Sequence, residues 1–307
     1  MLGLSEITQL SLDKKLENFN GVFFNSNECE TEKTHSMLAN ASFKQEGGHL
    51  GVGTLMSNNF DICCIAKAKF AILIDTDQET VEFNKLSIEI LKKTEDPTEF
   101  ISKISQLVFD RLKLGLEERR KVYYSFYFDG NSNCTLDSFS STHTVDQIIA
   151  KLKPELERQY SWLLKNNYSY MHRLALDNKI ISIQLNLSDV DSFKKIALIL
   201  NQQMNALMNT VNASNVRDHI SIDNFFNKDK QIPLESVAKC IELIANPDAV
   251  IVDSIHKEDE DPKTYQLTSR IEQRTSLGKI GEYKPDSTYF ITRHFITSTT
   301  LTSQLVH

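Results

Sequence analysis

A glycine turn between two apolar segments constrains the fold of this chain more than any other feature. Residues 49–53, His-Leu-Gly-Val-Gly, have the pattern of a strand that ends in a tight turn, and a helix-like segment follows them. Residues 70–74 then form an unbroken apolar run that ends in Asp75, as expected for a buried parallel strand. Because Gly51 and Gly53 have no Cβ, a ligand can approach their backbone closely. The pattern predicts a ligand site at the carboxyl edge of a parallel sheet.

The spacing of the glycines favours one class of ligand over another. A dinucleotide-binding turn has a third glycine three positions after the second, where this chain has Met56. A bulky side chain there would hold the helix away from the strand, which argues against a nicotinamide or flavin cofactor. A Gly-x-Gly turn with an acid after the next strand is typical of S-adenosylmethionine sites, in which Asp75 would accept hydrogen bonds from the ribose. The alternative interpretation is a tight strand-to-helix turn that binds nothing.

Downstream of residue 178, apolar segments with strand character alternate with amphipathic segments. The strand-like segments are residues 180–187, 207–211 and 249–253, and the helical ones are residues 192–203 and 234–245. This alternation predicts a parallel sheet with right-handed crossovers. In such a sheet Asn212, Ser214 and Asn215 would lie at the same edge as Gly51 and Asp75.

Residues between the second and third core strands interrupt the alternation. Their helical periodicity predicts helices at residues 78–93, 97–114, 144–153 and 157–178. The aromatic run at residues 123–128 is expected to pack in the core, and the polar residues 130–144 are expected to form a loop. This part of the chain is therefore predicted to be a large helical insertion.

The two ends of the chain are less regular. Glu28 belongs to a polar cluster that follows apolar residues 22–24, and it is interpreted either as a residue folded over the pocket or as part of a helix N-cap. Near the C-terminus, residues 257–262 form a charge run that predicts a solvated loop. Residues 264–270 and 289–297 are predicted to pair as an antiparallel hairpin.

Charge and cysteine usage exclude several classes of site. With 34 basic and 41 acidic residues the net charge is −7, so no general basic field is available for a phosphate backbone, and nucleic acid is an unfavourable partner. The five cysteines include no C-x-x-C pair, and no histidines cluster at metal-ligand spacing. We expect reduced thiols and no metal site, with Cys63 and Cys64 packed in a helix.

The sequence carries no recognisable targeting or membrane-spanning segment. The first residues lack a basic region followed by an apolar run, and no stretch approaches about 18 apolar residues. The default expectation is a cytoplasmic protein. Delivery into another cell by a secretion system would leave no mark in these patterns and stays open.

Four short segments in the same order carry a resemblance to a known family. They are Gly-Val-Phe-Phe-Asn-Ser-Asn-Glu at residues 21–28, Leu-Gly-Val-Gly at 50–53, Ile-Leu-Ile-Asp at 72–75 and Asn-Ala-Ser-Asn-Val at 212–216. From about Leu4 to Ser254 the chain resembles a family of largely uncharacterised bacterial proteins with a class I methyltransferase-like core. The resemblance implies one Rossmann-like α/β domain over residues 1–307, with a helical insertion at about 93–178 and a C-terminal extension at about 256–307.

Two positions depart from the pattern of that family. Asn59 and Phe60 follow the glycine turn later than the corresponding Asn-Phe pair of the family. The third core strand of the family ends in a small residue and an aspartate, where this chain has Asn186 and Leu187. If that aspartate contacts adenine, the contact is lost or moved here.

The leading hypothesis is a methyltransferase that binds S-adenosylmethionine and acts on an unidentified small-molecule or protein acceptor. The predicted cofactor-binding residues lie around the turn and the strand ends and are Gly51, Gly53, Asn59, Asp75, Asp77, Asn186 and Ser214. The candidate catalytic residues are Glu28, Asn212 and Asn215. Asn212 and Asn215 would orient the acceptor together with Ser214, and Glu28 or Asp77 would assist. One alternative is a protein-interaction module on a degenerate methyltransferase fold, such as a secreted bacterial effector. Another is a hydrolase or transferase for a different nucleoside ligand.

Overall fold

The structure is a computed structural model that describes most of the chain. The described residues are 2–12, 21–23, 28–29, 31–41, 43, 46–54, 58–113, 121–127, 134–140, 142–214, 216, 233, 235–260 and 267–276. Met56, Asn215 and the predicted strand at 289–297 lie outside these ranges, so what was predicted for them stays a prediction.

The described elements alternate as the sequence predicts over much of the chain. The strands are β1 (Gly21–Phe23), β2 (Glu28–Cys29), β3 (Gly48–Val52), β4 (Ala71–Asp75), β5 (Lys121–Tyr127), β6 (Cys134–Phe139), β7 (Ile180–Gln184), β8 (Met208–Ser214), β9 (Ala245–Glu260) and β10 (Leu267–Ser276). The α-helices are α1 (Leu2–Thr8), α2 (Thr31–Ala39), α3 (Asn58–Ile65), α4 (Gln78–Lys92), α5 (Pro97–Lys113), α6 (Val145–Leu152), α7 (Lys165–Leu176), α8 (Val190–Ile199) and α9 (Glu235–Ile244). None of these helices is long and apolar enough to cross a membrane.

The main sheet has the order β2-β10-β9-β8-β3-β4-β7. Strands β9, β8, β3, β4 and β7 run parallel to one another, whereas β10 pairs antiparallel with β9. With these strands numbered one to five along the chain, the order across the sheet is 3-2-1-4-5, that of a doubly wound Rossmann fold. The predicted Rossmann-like sheet is confirmed. Its order reverses between β3 and β8, and ligands of such sheets bind at the carboxyl ends of the strands beside that switch point.

Two apolar layers cover the two faces of this sheet. Side chains alternate along β4, so Ala71 and Leu73 pack against α3, α4, α5 and α7, whereas Ile72 and Ile74 pack against α1, α8 and α9. Burial on both faces explains why β4 reads as a continuous apolar run rather than an alternating one.

The insertion between β4 and β7 is mostly helical but also contains a strand pair. Residues of β5 and β6 pair antiparallel, and β1 joins β5 to form a separate small sheet. The interpretation of residues 130–144 as a loop is therefore wrong for Cys134–Phe139. The polar composition of that segment predicts a loop locally, whereas pairing with β5 gives its backbone strand partners. Trp162 anchors the insertion with its ring centroid 5.0 Å from that of Phe60 in α3.

The C-terminal part of the sheet also differs from the sequence interpretation. β9 continues to Glu260, and its residues from Lys257 onward pair antiparallel with the start of β10. The charge run is thus strand rather than loop from Lys257 to Glu260. Backbone pairing across the β9–β10 ladder satisfies the peptide groups there, independently of the charged side chains.

Candidate functional site

The candidate site lies at the carboxyl ends of β3, β4 and β8, and we call it the rim, formed by Gly53, Asp75, Asn212 and Ser214. Gly53 follows β3 directly and has a φ of 91°, a conformation that favours glycine. Its N–H donates to the carbonyl oxygen of Ile74 at 2.9 Å, which places the turn beside the end of β4. A Cβ built on Gly53 would meet no heavy atom of the described residues within 4 Å. The backbone is therefore open to a ligand at this point.

Asp75 ends β4 next to that turn, with a half-buried side chain. Its Oδ1 accepts a hydrogen bond from the Asp77 N–H at 2.8 Å. Burial raises the pKa of Asp75 to about 7, although backbone hydrogen bonds from Asp77 and Thr76 oppose the shift. A carboxyl group that titrates near neutrality beside an open turn is characteristic of functional sites.

Asp77, the other acidic residue near this turn, caps a helix. Asp77 is the N-cap of α4, and its Oδ2 accepts hydrogen bonds from the N–H and the hydroxyl of Thr80, both at 2.8 Å. Capping satisfies an otherwise unpaired donor in the first turn of the helix. Asp77 therefore fixes the loop that presents Asp75, and its predicted contact with a cofactor stays a prediction.

Gly51 lacks a side chain for a different reason than Gly53. A Cβ built on Gly51 would lie 2.3 Å from Oδ1 of Asn59, far inside van der Waals contact. The space beside Gly51 is therefore filled by the Asn59 carboxamide. A ligand that contacts Gly51 directly would have to approach it from another direction.

Asn59 is buried and uses both ends of its amide within the protein. Its Nδ2 donates to the carbonyl oxygens of Val52 at 3.0 Å and Thr54 at 2.8 Å. Its Oδ1 accepts from Nδ2 of Asn212 at 2.8 Å and faces Nε2 of His49 at 3.4 Å. The geometry gives Asn59 and Asn212 a supporting position behind the turn, and their predicted contacts with cofactor and acceptor stay predictions.

His49 completes this buried network in its neutral form. Burial lowers the pKa of His49 to about 4, and the hydrogen bond to Asn59 only partly opposes this shift. Since Nε2 donates to Asn59, the neutral ring accepts at Nδ1, where the hydroxyl of Thr210 lies at 2.9 Å. The network therefore connects β3, α3 and β8 beneath the rim without a buried charge.

Two residues that the sequence interpretation missed also hold the rim. Asn84 of α4 is fully buried and donates to the carbonyl oxygen of Gly53 at 3.0 Å and to Oγ of Ser182 at 3.4 Å. Gln184 of β7 donates from Nε2 to the carbonyl oxygen of Thr76 at 2.8 Å. A signal existed for Asn84, because it falls on the apolar face of an amphipathic helix, where a polar residue needs a partner.

Of the remaining predicted site residues, Ser214 is part of the rim, whereas Glu28 lies several strands away from it. Ser214 lies at the rim with a φ of 48°, and its N–H donates to Oδ1 of Asn212 at 3.2 Å. Asn186 follows β7, and its Oδ1 accepts from the N–H of Ser188 at 2.9 Å. Glu28 is not brought to the rim by its strand. Three strands separate β2 from β3, a distance of roughly 19 Å at about 4.8 Å per strand.

The first turn of α3 is covered by two neighbouring parts of the chain. On one side, Oδ1 of Asn58 is 2.9 Å from Nε2 of His35 in α2. On the other side, Asp61 accepts from the Trp162 N–H at 2.7 Å and forms an ion pair with Arg158. The residues from Asn58 to Asp61 are at most 3% exposed. This helix start therefore differs from an open anion site of the kind used by dinucleotide-binding folds.

Arg158 is shared between two carboxylates. Its Nε donates to Glu155 at 2.8 Å, while its Nη2 donates to Oδ2 of Asp61. Burial raises the pKa of both carboxyl groups, and the guanidinium opposes that rise. This ion-pair cluster ties the insertion to α3.

Several cysteines are free thiols buried in the protein interior. Cys63, Cys64 and Cys240 are free and buried, and burial raises the pKa of Cys63 and Cys240 to about 12. The packing of Cys63 and Cys64 inside α3 is confirmed. Over the described part of the chain, no group of three or more His, Cys, Asp and Glu side chains is arranged to hold a metal ion.

Comparison with known proteins gives a family and two distant structural neighbours. A search of curated proteins by sequence finds no match. Two structures of the rRNA methyltransferase aviRa from Streptomyces viridochromogenes are similar at 8% identity with a TM-score of 0.31, and at 11% identity with a TM-score of 0.34. The first match covers 78% of this chain and 82% of the other, and the second covers 90% and 94%. The fold assignment therefore rests on the strand order rather than on these neighbours.

The family assignment rests on a match over most of the sequence. A family model described as a domain of unknown function, DUF7790, matches residues 23–277. This range includes the whole parallel sheet, the insertion and the rim. The chain belongs to the DUF7790 family.

Proposed function

We propose that this protein binds S-adenosylmethionine at the rim and transfers its methyl group to an acceptor. The observation that carries the proposal is the adjacency of Gly53 and Asp75 at the switch point of a sheet in Rossmann order. Gly53 offers a backbone with free space beside it, and Asp75 offers a half-buried carboxyl group next to it. In doubly wound sheets this place takes nucleoside ligands, with the acid on the ribose.

The residues of the rim fit a nucleoside on the Gly53 side of the turn. Asp75 would accept hydrogen bonds from the ribose hydroxyls, and Asp77 would hold the loop behind it. Ser214 ends β8 and Asn186 follows β7, on opposite sides of β3 and β4, and each would contact the ligand from its own side. The Gly51 side does not fit, because Asn59 occupies it.

The proposed reaction needs the protein mainly to position the cofactor and the acceptor. The bound cofactor would supply a methyl group activated by its sulfonium, ready for in-line displacement by the acceptor. Holding two reactants in line supplies most of the rate in such reactions, and a base is needed only if the nucleophile carries a proton. The structure supports a positioning role for Asn212, whose amide is bound to Asn59. Asn215 stays a candidate for orienting the acceptor. Glu28 is not proposed for that role, because three strands separate β2 from β3.

Isothermal titration with S-adenosylmethionine and S-adenosylhomocysteine tests the proposal. We expect measurable binding to the wild type and a loss of affinity of at least about tenfold in Asp75→Ala. This is the effect on binding free energy that the loss of one hydrogen bond to a charged group typically has. Asp191→Ala, which removes an exposed acid on α8 paired with Lys194, is the matched control and should bind normally. Absence of heat in the wild type, or equal binding by Asp75→Ala, would refute the proposal.

A further inference from the structure

We propose that Asn59 and Asn84 are positioning residues that hold the glycine turn in its ligand-binding shape before a ligand arrives. The inference rests on the function proposed above and deepens it. It also gives Asn59 a role different from the direct cofactor contact that the sequence suggests. Asn84, which the sequence interpretation did not assign to the site, becomes its counterpart on α4.

The contacts that carry the inference involve three consecutive carbonyl oxygens of the turn. Asn59 of α3 donates to the carbonyl oxygens of Val52 and Thr54, at 3.0 and 2.8 Å. Asn84 of α4 donates to the carbonyl oxygen between them, that of Gly53, at 3.0 Å. Two neighbouring helices that pack on the same face of the sheet thus hold one turn through side-chain amides.

The orientation of the Asn59 amide follows from its surroundings. Its nitrogen faces two carbonyl oxygens, which can only accept, and its oxygen faces the amide nitrogen of Asn212 at 2.8 Å. Reversing the amide would place an oxygen against two acceptors and a nitrogen against a donor. The arrangement is therefore fixed, and the absence of a side chain at Gly51 is what leaves room for it.

These bonds set the backbone shape of the turn without help from a ligand. The Gly53 N–H is also engaged, since it donates to Ile74 at 2.9 Å. A buried peptide group without a partner is strongly unfavourable, so a turn with these partners resists alternative conformations. A site held rigid before binding loses less conformational entropy when the ligand enters.

The experiment replaces one amide by its isosteric acid. Asn84→Asp turns the donor facing the Gly53 carbonyl into an acceptor while keeping the shape of the side chain. Ser182→Ala is the matched control, because it removes another partner of Asn84, whose Nδ2 lies 3.4 Å from the Ser182 Oγ, and leaves the contact with Gly53. Three quantities are measured for each variant and the wild type: the free energy of urea unfolding, the affinity for S-adenosylhomocysteine, and amide hydrogen exchange in the peptide covering residues 48–60.

The inference predicts a specific loss in Asn84→Asp. The variant should unfold cooperatively, bind S-adenosylhomocysteine at least about tenfold more weakly, and exchange faster in the 48–60 peptide than the wild type. Ser182→Ala should keep its affinity within about twofold even if its stability falls. Equal affinity of Asn84→Asp and wild type, or affinity losses in both variants that follow their stability, would overturn the inference.

The exchange measurement separates this inference from the proposed function. If the wild type binds no S-adenosylhomocysteine, the proposed function fails, but faster exchange of the ligand-free turn in Asn84→Asp alone would still support positioning by Asn84. Unchanged exchange in the ligand-free turn would overturn the inference whether or not the ligand binds.

Discussion

Two glycines one residue apart illustrate how the same residue type serves two different needs. Gly53 needs a positive φ and leaves its flank open, whereas Gly51 has no side chain because the Asn59 carboxamide takes that space. The sequence predicts both as points of close ligand approach, since a single sequence does not show which atom will fill the space. Only the packing of α3 distinguishes them.

A double-mutant cycle tests the packing of Gly51 against Asn59. Gly51→Ala should lower the free energy of unfolding by about 1–3 kcal/mol, since the added methyl group overpacks the site. In Gly51→Ala/Asn59→Ala the obstacle is gone, so the combined loss should be smaller than the sum of the single losses by at least about 0.5 kcal/mol. Gly51→Ala/Asn201→Ala, in which the second change removes an amide that donates to the carbonyl oxygen of Ala197 in α8, should be additive. Additivity of the first pair would contradict the account.

The raised pKa of Asp75 predicts how stability depends on pH. The folded protein holds this proton up to about pH 7, whereas an unfolded aspartate releases it near pH 3.9. Asp75 therefore lowers stability as pH rises from about 4 to 7. At pH 8, Asp75→Asn should have a free energy of unfolding about 1–2 kcal/mol higher than the wild type. This is less than the full pKa shift of Asp75 would imply, because the side chain is only half-buried. Urea unfolding at pH 4 and pH 8 measures this, and a less stable variant at pH 8 would refute it.

Ligand affinity should show the opposite trend with pH. Ribose hydroxyls donate to a carboxylate, so binding favours the ionised form of Asp75. With a pKa of about 7 in the free protein, the affinity for S-adenosylhomocysteine should fall about tenfold from pH 8 to pH 6. The affinity of Asp75→Asn should be low and nearly independent of pH. Titration calorimetry in buffers of different ionisation enthalpy would also detect the released proton, and a flat wild-type profile would argue against a ribose contact.

Among the secondary-structure elements, an ion-pair cluster attaches the insertion to α3. Arg158 lies between Asp61 of α3 and Glu155 of the insertion, and the three side chains are at most 13% exposed. The sequence offers no signal for this cluster, because its members are up to 97 residues apart. The strand pair β5–β6 is local, with Tyr127 opposite Cys134, and it was missed because the polar composition of residues 130–144 predicts a loop. Local patterns did predict the glycine turn, β4 and α4, whose signals are contained within a few residues.

Removal of the shared cation should destabilise the protein strongly. Arg158→Met leaves two buried carboxylates without a cation and should lower the free energy of unfolding by about 3–5 kcal/mol at pH 7. Burial already raises the pKa of Asp61 and Glu155, so both would protonate more easily without Arg158, and the loss should shrink as pH falls toward 5. Lys103→Met breaks an exposed pair with Glu99 and should change stability by less than about 1 kcal/mol. Equal effects of the two variants would contradict the burial of the cluster.

At the scale of the whole molecule, the sequence predicts a mostly parallel sheet but not the order of its strands. Helix α8 carries the chain from β7, at one edge, to β8 on the far side of β3, and this crossover creates the switch point. Strand order depends on which helices pack on which face, and alternation alone does not reveal that. The prediction that Asp75 and the residues around Asn212 share one edge is correct because all core strands run parallel.

A structure of the protein with S-adenosylhomocysteine would show whether the rim is the ligand site. We expect ribose hydroxyls within hydrogen-bonding distance of the Asp75 carboxylate, the ligand against the Gly53 backbone, and Asn59 still bonded to Val52 and Thr54. A ligand bound elsewhere, or no ligand at saturating concentration, would refute S-adenosylmethionine binding at the rim.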